Sequence, residues 1–303
     1  MTAPRLTVIG GYLGAGKTTL VNRLLAGATG ERVAVIVNDF GSINIDAELI
    51  RSADKDTVRL SNGCMCCSAS DGLAAALARL CARADEIDRI VIETSGVSEP
   101  GKVAKNAHGF RLPLDAVIVM ADAEQLPAQA SNRYVGDVVR RQLAQADLIL
   151  LNKIDLVGPE ALARAREEIL LNAPRSPVAE TTAANLPLVL LFASHGLRDR
   201  TDGNFDDLLA EPSAHRHEAS YESWVVERGQ PIPRAEFEAM ANNLSAQAIR
   251  AKGHVQLAEG PDVRHLYQQV GRRWTLSEDG VWDVGTAGTR LVAIAIRDAP
   301  MAG

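Results

Sequence analysis

The segment Gly11-Tyr12-Leu13-Gly14-Ala15-Gly16-Lys17-Thr18 restricts the fold of this chain more than anything else in it. It follows a short apolar run, Leu6 to Ile9, and opens a helical pattern, Lys17 to Leu25. A glycine-rich turn from a strand into a helix N-terminus lets successive backbone N–H groups surround an anion at close range. The spacing is that of a phosphate loop. Gly11, Gly14, Ala15 and Gly16 would form its cradle, continued by Thr19. Lys17 would reach the terminal phosphates, and the Thr18 hydroxyl would ligate Mg²⁺.

A phosphate loop requires a sheet to carry it, and the rest of the sequence supplies one. Val33 to Val37, Ile90 to Ile92, Ala116 to Met120 and Leu148 to Leu151 are almost wholly apolar, as strands covered on both faces of a parallel sheet must be. Helical patterns at Asp71 to Arg83, Tyr134 to Ala144 and Glu160 to Leu171 fill the intervals. The expected class is α/β, a mostly parallel sheet of the phosphate-loop type with flanking helices. Val178 to Thr182 is one further strand, and PLVLLF at 187–192 is strand or buried helix. The stretch 194–220 turns polar and turn-rich, so the chain divides into residues 1–200, a linker over 201–219, and a smaller α+β domain over 220–303. That domain would hold a strand at YESWVVE and a helix from Pro233 to Leu244. Strands around Val255 to Leu257, Leu266 to Val270 and Leu291 to Ile296 complete it.

Two more segments sit where α/β sheets bind ligands, at strand C-terminal ends. In Arg89-Ile90-Val91-Ile92-Glu93-Thr94-Ser95-Gly96 an apolar strand ends in a carboxylate that can hold Mg²⁺, with the Gly96 N–H positioned to approach a γ-phosphate. In Asn152-Lys153-Ile154-Asp155 the carboxylate of Asp155 can accept from the guanine ring N–H and exocyclic amine. Asn152 and the Lys153 stem would bracket the base. Adenine lacks that donor pair, so the expected nucleotide is GTP, with GDP as product.

Charge and cysteines narrow the partners. With 32 basic against 38 acidic residues the net charge is −6, which argues against a general nucleic-acid binder. No apolar stretch approaches the roughly 18 residues of a membrane span and the N-terminus lacks a signal-peptide core, so the cytoplasm is the expected location. Three of the four cysteines fall in Gly63-Cys64-Met65-Cys66-Cys67, just before a helical pattern that would stabilise a thiolate. Such thiolates favour Zn²⁺, Cu⁺ or Co²⁺ over Mg²⁺. Three thiols without a second pair suit an open, releasable site better than a closed structural one. Cys81, among Leu77, Ala78 and Leu80, reads as core. The cluster and Asn38-Asp39-Phe40-Gly41 share the interval that senses a γ-phosphate in such sheets, so metal affinity and nucleotide state can be linked.

Together, Gly11–Thr18, Asn38–Gly41, Gly63–Cys67, Glu93–Gly96 and Asn152–Asp155 make the chain similar to the CobW-like metallochaperone GTPases. Ile249-Arg250-Ala251-Lys252-Gly253 resembles the R-x-K-G segment of their C-terminal domain. The resemblance implies that Cys64, Cys66 and Cys67 bind Zn²⁺ or a related ion such as Co²⁺. It also implies that GTP loading alters that binding and that hydrolysis accompanies handover to a client metalloprotein. Two departures stand out. Asp39 replaces the commoner Glu of N-E-F-G, shortening a carboxylate that is also a candidate for hydrolysis. Of a His-rich tract only His215 and His217 remain, either a chelating pair or a solvated linker pair. No residue declares itself a general base, so intrinsic hydrolysis is expected to be slow. Two other readings are a GTP-controlled switch protein with structural or redox-active cysteines, and a P-loop small-molecule kinase.

Overall fold

A strand that is dry on both faces has no reason to alternate, and the apolar runs behave accordingly. In a computed structural model, which describes residues 3–26, 32–38, 57–60, 69–188, 191, 221–283 and 285–296, they form the middle of a seven-stranded sheet. Its strands are β1 (Arg5–Gly11), β2 (Val33–Asn38), β3 (Thr57–Leu60), β4 (Arg89–Glu93), β5 (Leu114–Asp122), β6 (Leu148–Asn152) and β7 (Val178–Thr181). They lie in the order β3-β2-β4-β1-β5-β6-β7. Every residue of β4 and β6 is buried. β1 runs parallel to β4 and β5, β2 to β3 and β4, and β5 to β6.

Parallel neighbours need crossover connections. These contain α1 (Lys17–Ala26), α2 (Ala69–Cys81), α3 (Pro100–His108), α4 (Leu126–Ser131), α5 (Gly136–Gln145) and α6 (Pro159–Asn172). The chain winds from β1 outward to β2 and β3 on one side and to β5, β6 and β7 on the other, which makes the end of β1 a topological switch point. Register then aligns the strand ends there: Ile9 pairs with Glu93, Gly11 with Met120, and Asp122 with Asn152. At the opposite end of the sheet the fully buried Arg89 guanidinium donates to Asp115 Oδ2 at 2.6 Å and to Thr7 Oγ1 at 2.8 Å. A buried charge is tolerated there because it is both paired and hydrogen-bonded.

The second sheet is antiparallel. It contains β8 (Tyr221–Arg228), β9 (Arg250–Gln256), β10 (Val263–Val270), β11 (Arg273–Val281) and β12 (Thr289–Ile296), in the order β11-β10-β9-β12-β8. Helix α7 (Arg234–Gln247) follows Pro233, which cannot donate a helical hydrogen bond and suits a helix start. Phe237, Ala241 and Leu244 of α7 share a core with Ala251, Val255, Tyr267, Leu291 and Ala293. Phe237 meets Tyr267 edge-on, with ring centroids 5.5 Å apart. By its contacts the chain divides into two compact units, Met1–Pro174 with Glu180–Thr201, and Arg175–Ala179 with Asp202–Gly303.

Several elements differ from the sequence expectation. β9 starts at Arg250 instead of Val255, because its inward residues Ala251 and Gly253 are too small to show as an apolar pattern. Helix α3 was not expected: it buries Val103, Ala104 and Ala107, a stripe made mostly of alanine. β3, α4 and β11 also escaped the apolar pattern, and α5 starts at Gly136, leaving Tyr134 exposed. Within 187–192, Leu191 N donates to Leu188 O at 3.0 Å, and residues 189, 190 and 192 lie outside the described residues. The expected linker over 201–219 lies outside the described residues. Among the described residues no helix is long and apolar enough to cross a membrane.

Candidate nucleotide site

β1 ends at Gly11 and α1 begins at Lys17. Between them Gly11, Gly14 and Gly16 take φ values of 130°, 78° and 106°, a region that side chains strongly disfavour. Gly16 is constrained twice, because a Cβ there would stand 2.4 Å from Asn152 Nδ2. The first internal hydrogen bond of α1 runs from Leu20 N to Gly16 O at 3.0 Å, which turns the amides of Lys17, Thr18 and Thr19 toward the loop. Lys17 is itself mostly buried, and its Nζ donates to Tyr12 O at 3.3 Å, folding the ammonium over the cradle. Positive charge, glycine-rich backbone and a helix N-terminus meet at this loop, the combination that suits an anion.

Glu93 closes one wall. It is 2% exposed at the end of β4, and its Oε1 accepts from Thr18 Oγ1 at 2.8 Å. A hydroxyl and a carboxylate meeting beside a phosphate cradle form an oxygen-only donor pair, the chemistry that Mg²⁺ selects. Gly96 lies directly against the loop, since a Cβ there would sit 2.5 Å from Leu13 Cδ2. The glycine-rich loop, the Thr18–Glu93 oxygen pair and the Gly96 turn therefore share the C-terminal end of the sheet.

The Asn152–Asp155 segment at the end of β6 is tied into the fold by its own side chains. Asn152 is buried and uses both ends of its amide on backbone: Nδ2 donates to Ala15 O at 2.9 Å, and Oδ1 accepts from Ala184 N at 2.9 Å. It ties the phosphate loop to the segment after β7. Lys153 stands at φ 63°, and its ammonium is anchored to Asp122 Oδ2 at 2.6 Å. Asp122 is oriented in turn by Glu124 N at 3.0 Å and Gln125 N at 3.3 Å on its other oxygen. Asp155 lies on a short 3-10 helix, Ile154–Leu156, and is exposed.

Two contributors were missed from the sequence. Asp122 directly follows the apolar run of β5, the same strand-end position as Glu93 and Asn152, and that position was the available signal. Ala183 and Ala184 take φ values of 50° and 55°. Nothing in an Ala-Ala pair announces a left-handed turn, because glycine or asparagine normally occupies one.

Cys64, Cys66, Cys67, Asp39, His215 and His217 lie outside the described residues. Among the described residues no group of three or more His, Cys, Asp or Glu is arranged to hold a metal. Cys81 is only half-buried, with Leu77 and Leu80 buried beside it but Ala78 exposed. Burial raises its thiol above the usual cysteine range, which suppresses the thiolate a metal would need.

Residues 5–179 match the family described as CobW/HypB/UreG, nucleotide-binding domain, and residues 221–300 match the cobalamin synthesis protein cobW C-terminal domain. The chain is 31% identical to a zinc chaperone CobW of a Sinorhizobium species, with 96% of this chain and 92% of that protein covered. It is 33% identical to the zinc chaperone CobW of Pseudomonas aeruginosa, covering 95% and 86%. It is 32% identical to the zinc chaperone YjiA of Escherichia coli, covering 96% and 94%. The crystal structure of the Zn(II)-bound YjiA GTPase aligns over 98% of this chain and 95% of that one, with a TM-score of 0.48 and 26% identity.

Proposed function

The chain belongs to the CobW/HypB/UreG family and is a P-loop GTPase, and from that premise we propose that it is a GTP-dependent zinc chaperone serving a client metalloprotein. Support comes from full-length relatives named zinc chaperones and from one feature of this sequence. The thiols Cys64, Cys66 and Cys67 fall in the interval between the phosphate loop and Glu93. Zinc is the cargo, and Co²⁺ is a close chemical substitute for it. Gly11, Gly14, Ala15, Gly16 and Thr19 cradle the phosphates, and Lys17 lies over the β- and γ-phosphates. Asp155 reads guanine, and Lys153, anchored on Asp122, covers the base with its stem.

Thr18 and Glu93 would hold Mg²⁺, which when bound offsets the charge on the transferring phosphate. Hydrolysis adds water to the γ-phosphorus and releases GDP and inorganic phosphate. The Gly96 N–H faces that γ-phosphate, and Asp39, next in sequence after β2, is a candidate to add its carboxylate. The thiols close on the ion while the γ-phosphate orders their interval. After hydrolysis they loosen, and the ion passes to a client with ligands of its own.

Reciprocal linkage makes this testable: if GTP tightens metal binding, metal tightens GTP binding by the same factor. Zn²⁺ affinity, measured with a competing chelator, is expected to be about 5–150-fold tighter with a GTP analogue and Mg²⁺ than with GDP. Co²⁺ should give thiolate charge-transfer absorption that Cys66→Ser or Cys67→Ser removes and Cys81→Ser retains. Equal metal affinities in all nucleotide states would refute the chaperone mechanism.

A further inference from the structure

Helix α5 carries two buried-facing amides that the nucleotide chemistry has not used. Gln142 is 1% exposed, and its Nε2 donates both to Gly96 O at 3.0 Å and to Ser98 O at 2.8 Å. One helical turn on, Gln145 accepts from Gly101 N at 2.8 Å through Oε1 and donates to Glu99 Oε2 at 3.1 Å. Arg141 adds an ion pair to Glu99 at 3.2 Å. Residues at i, i+3 and i+4 of a helix share a face, so Gln142 and Gln145 form one strip along α5. That strip holds residues 96–101 at four backbone or side-chain points.

The first part of that segment is a tight turn, and Pro100 and Gly101 open α3. Ser98 N donates to Ser95 O at 3.0 Å, and Val97 N approaches Ser95 Oγ at 3.4 Å. On its other flank the turn lies on the phosphate loop, where Gly96 leaves no room for a Cβ against Leu13. Glycine would otherwise give this turn wide backbone freedom. Gln142 removes that freedom by fixing the carbonyls on either side of Val97.

We infer that Gln142, assisted by Gln145, is a positioning residue that holds the Gly96 turn in its γ-phosphate-facing arrangement before nucleotide arrives. This role presupposes that the Gly96 N–H faces the γ-phosphate, as proposed above. A donor fixed in place beforehand needs no ordering when the phosphate binds, so its contribution falls on GTP and on the transition state but not on GDP. α5 thereby sets how sharply the protein distinguishes its two nucleotide states.

Gln142→Met keeps the length and bulk of the side chain and removes both donors. In the full-length protein, its affinity for GDP is expected to stay within about twofold. Affinity for a non-hydrolysable GTP analogue with Mg²⁺ should fall by about tenfold, with a comparable fall in kcat, since lost preorganisation is felt only where the phosphate is engaged. Gln145→Leu should shift the same ratio in the same direction by a smaller factor, and it carries the test if the first variant does not fold. A merely structural glutamine would lower the melting midpoint and leave the GTP-to-GDP affinity ratio unchanged, which would overturn the inference. A backbone ester in place of the Gly96 amide separates the two claims, because it deletes the N–H without adding a Cβ against Leu13. If it alone shifts the ratio, the γ-phosphate contact stands and the Gln142 role falls. If no variant shifts it, the Gly96 contact falls as well.

Discussion

The Thr18 hydroxyl donates to Glu93 Oε1 across 2.8 Å, joining the first turn of α1 to the end of β4 through a single hydrogen bond. The two residues are 75 positions apart in the chain, so the contact exists only because β4 lies beside β1. Replacing Glu93 by Gln keeps an acceptor for Thr18 and removes the negative charge. Half-saturating Mg²⁺ for GTP hydrolysis should then rise by about tenfold, equivalent to ~1.4 kcal/mol. Thr18→Ala should act in the same direction. Steady-state hydrolysis across a Mg²⁺ titration checks both, and an unchanged Mg²⁺ requirement would remove these residues from the metal site.

Lys17 lies over the phosphate loop with its ammonium at Tyr12 O. Lys17→Ala should reduce kcat by about 10²–10³-fold, the usual scale for losing one aligned charge at a transferring phosphate. It should weaken GTP more than GDP. Single-turnover hydrolysis with saturating enzyme separates the chemical effect from the binding effect.

Asp155 is exposed on the short 3-10 helix after β6, and its proposed partners are the guanine ring N–H and amine. Asp155→Asn replaces one accepting oxygen by a donor and should shift preference from GTP to xanthosine triphosphate. Competition calorimetry with GTP, XTP and ATP tests it. Equal affinities of the native protein for GTP and ATP would contradict the assignment.

Asn152 predicts a stability effect rather than a specificity effect. Asn152→Ala leaves Ala15 O and Ala184 N without their partner, at roughly 1–3 kcal/mol for each buried group. The urea midpoint of the nucleotide-free protein should fall, while the ratio of GTP to ATP affinity should hold. A loss of base preference without a loss of stability would place Asn152 on the base itself.

In the second unit His254 is held below the usual histidine value of 6.5, chiefly by burial and then by the Arg264 charge, with Asp279 pulling the other way. Lys252 opposes protonation as well, and Arg290 stands opposite His254 on β12. A base with a lowered folded pKa is protonated more readily when unfolded. Its contribution is therefore complete above about 6.5 and is lost as pH falls through that value toward the lower folded one. His254→Gln should flatten this part of the stability profile between pH 8 and pH 5. Parallel denaturation midpoints of the native and variant proteins over that range would contradict it.

Local chemistry was enough to determine a great deal here. The phosphate loop is a contiguous motif whose glycines act through their backbone and whose lysine and threonine follow directly in the chain, and the covered strands are apolar along their length. Both features can be read without knowing any distant partner, as can the strand-end Glu93 and the Asn152–Asp155 segment. What the tertiary structure decided depends on groups far apart in sequence. Asn152 tethers Ala15, 137 positions away, and Lys153 takes Asp122 as its anchor. The left-handed Ala183-Ala184 turn offers Asn152 a backbone donor, and the alanine-lined β9 and α3 become visible only against their packing partners. Gln142 is the clearest case. A glutamine in an amphipathic helix looks like any solvated polar residue until the fold buries it, and burial obliges both of its amide hydrogens to find acceptors, here on the Gly96 turn.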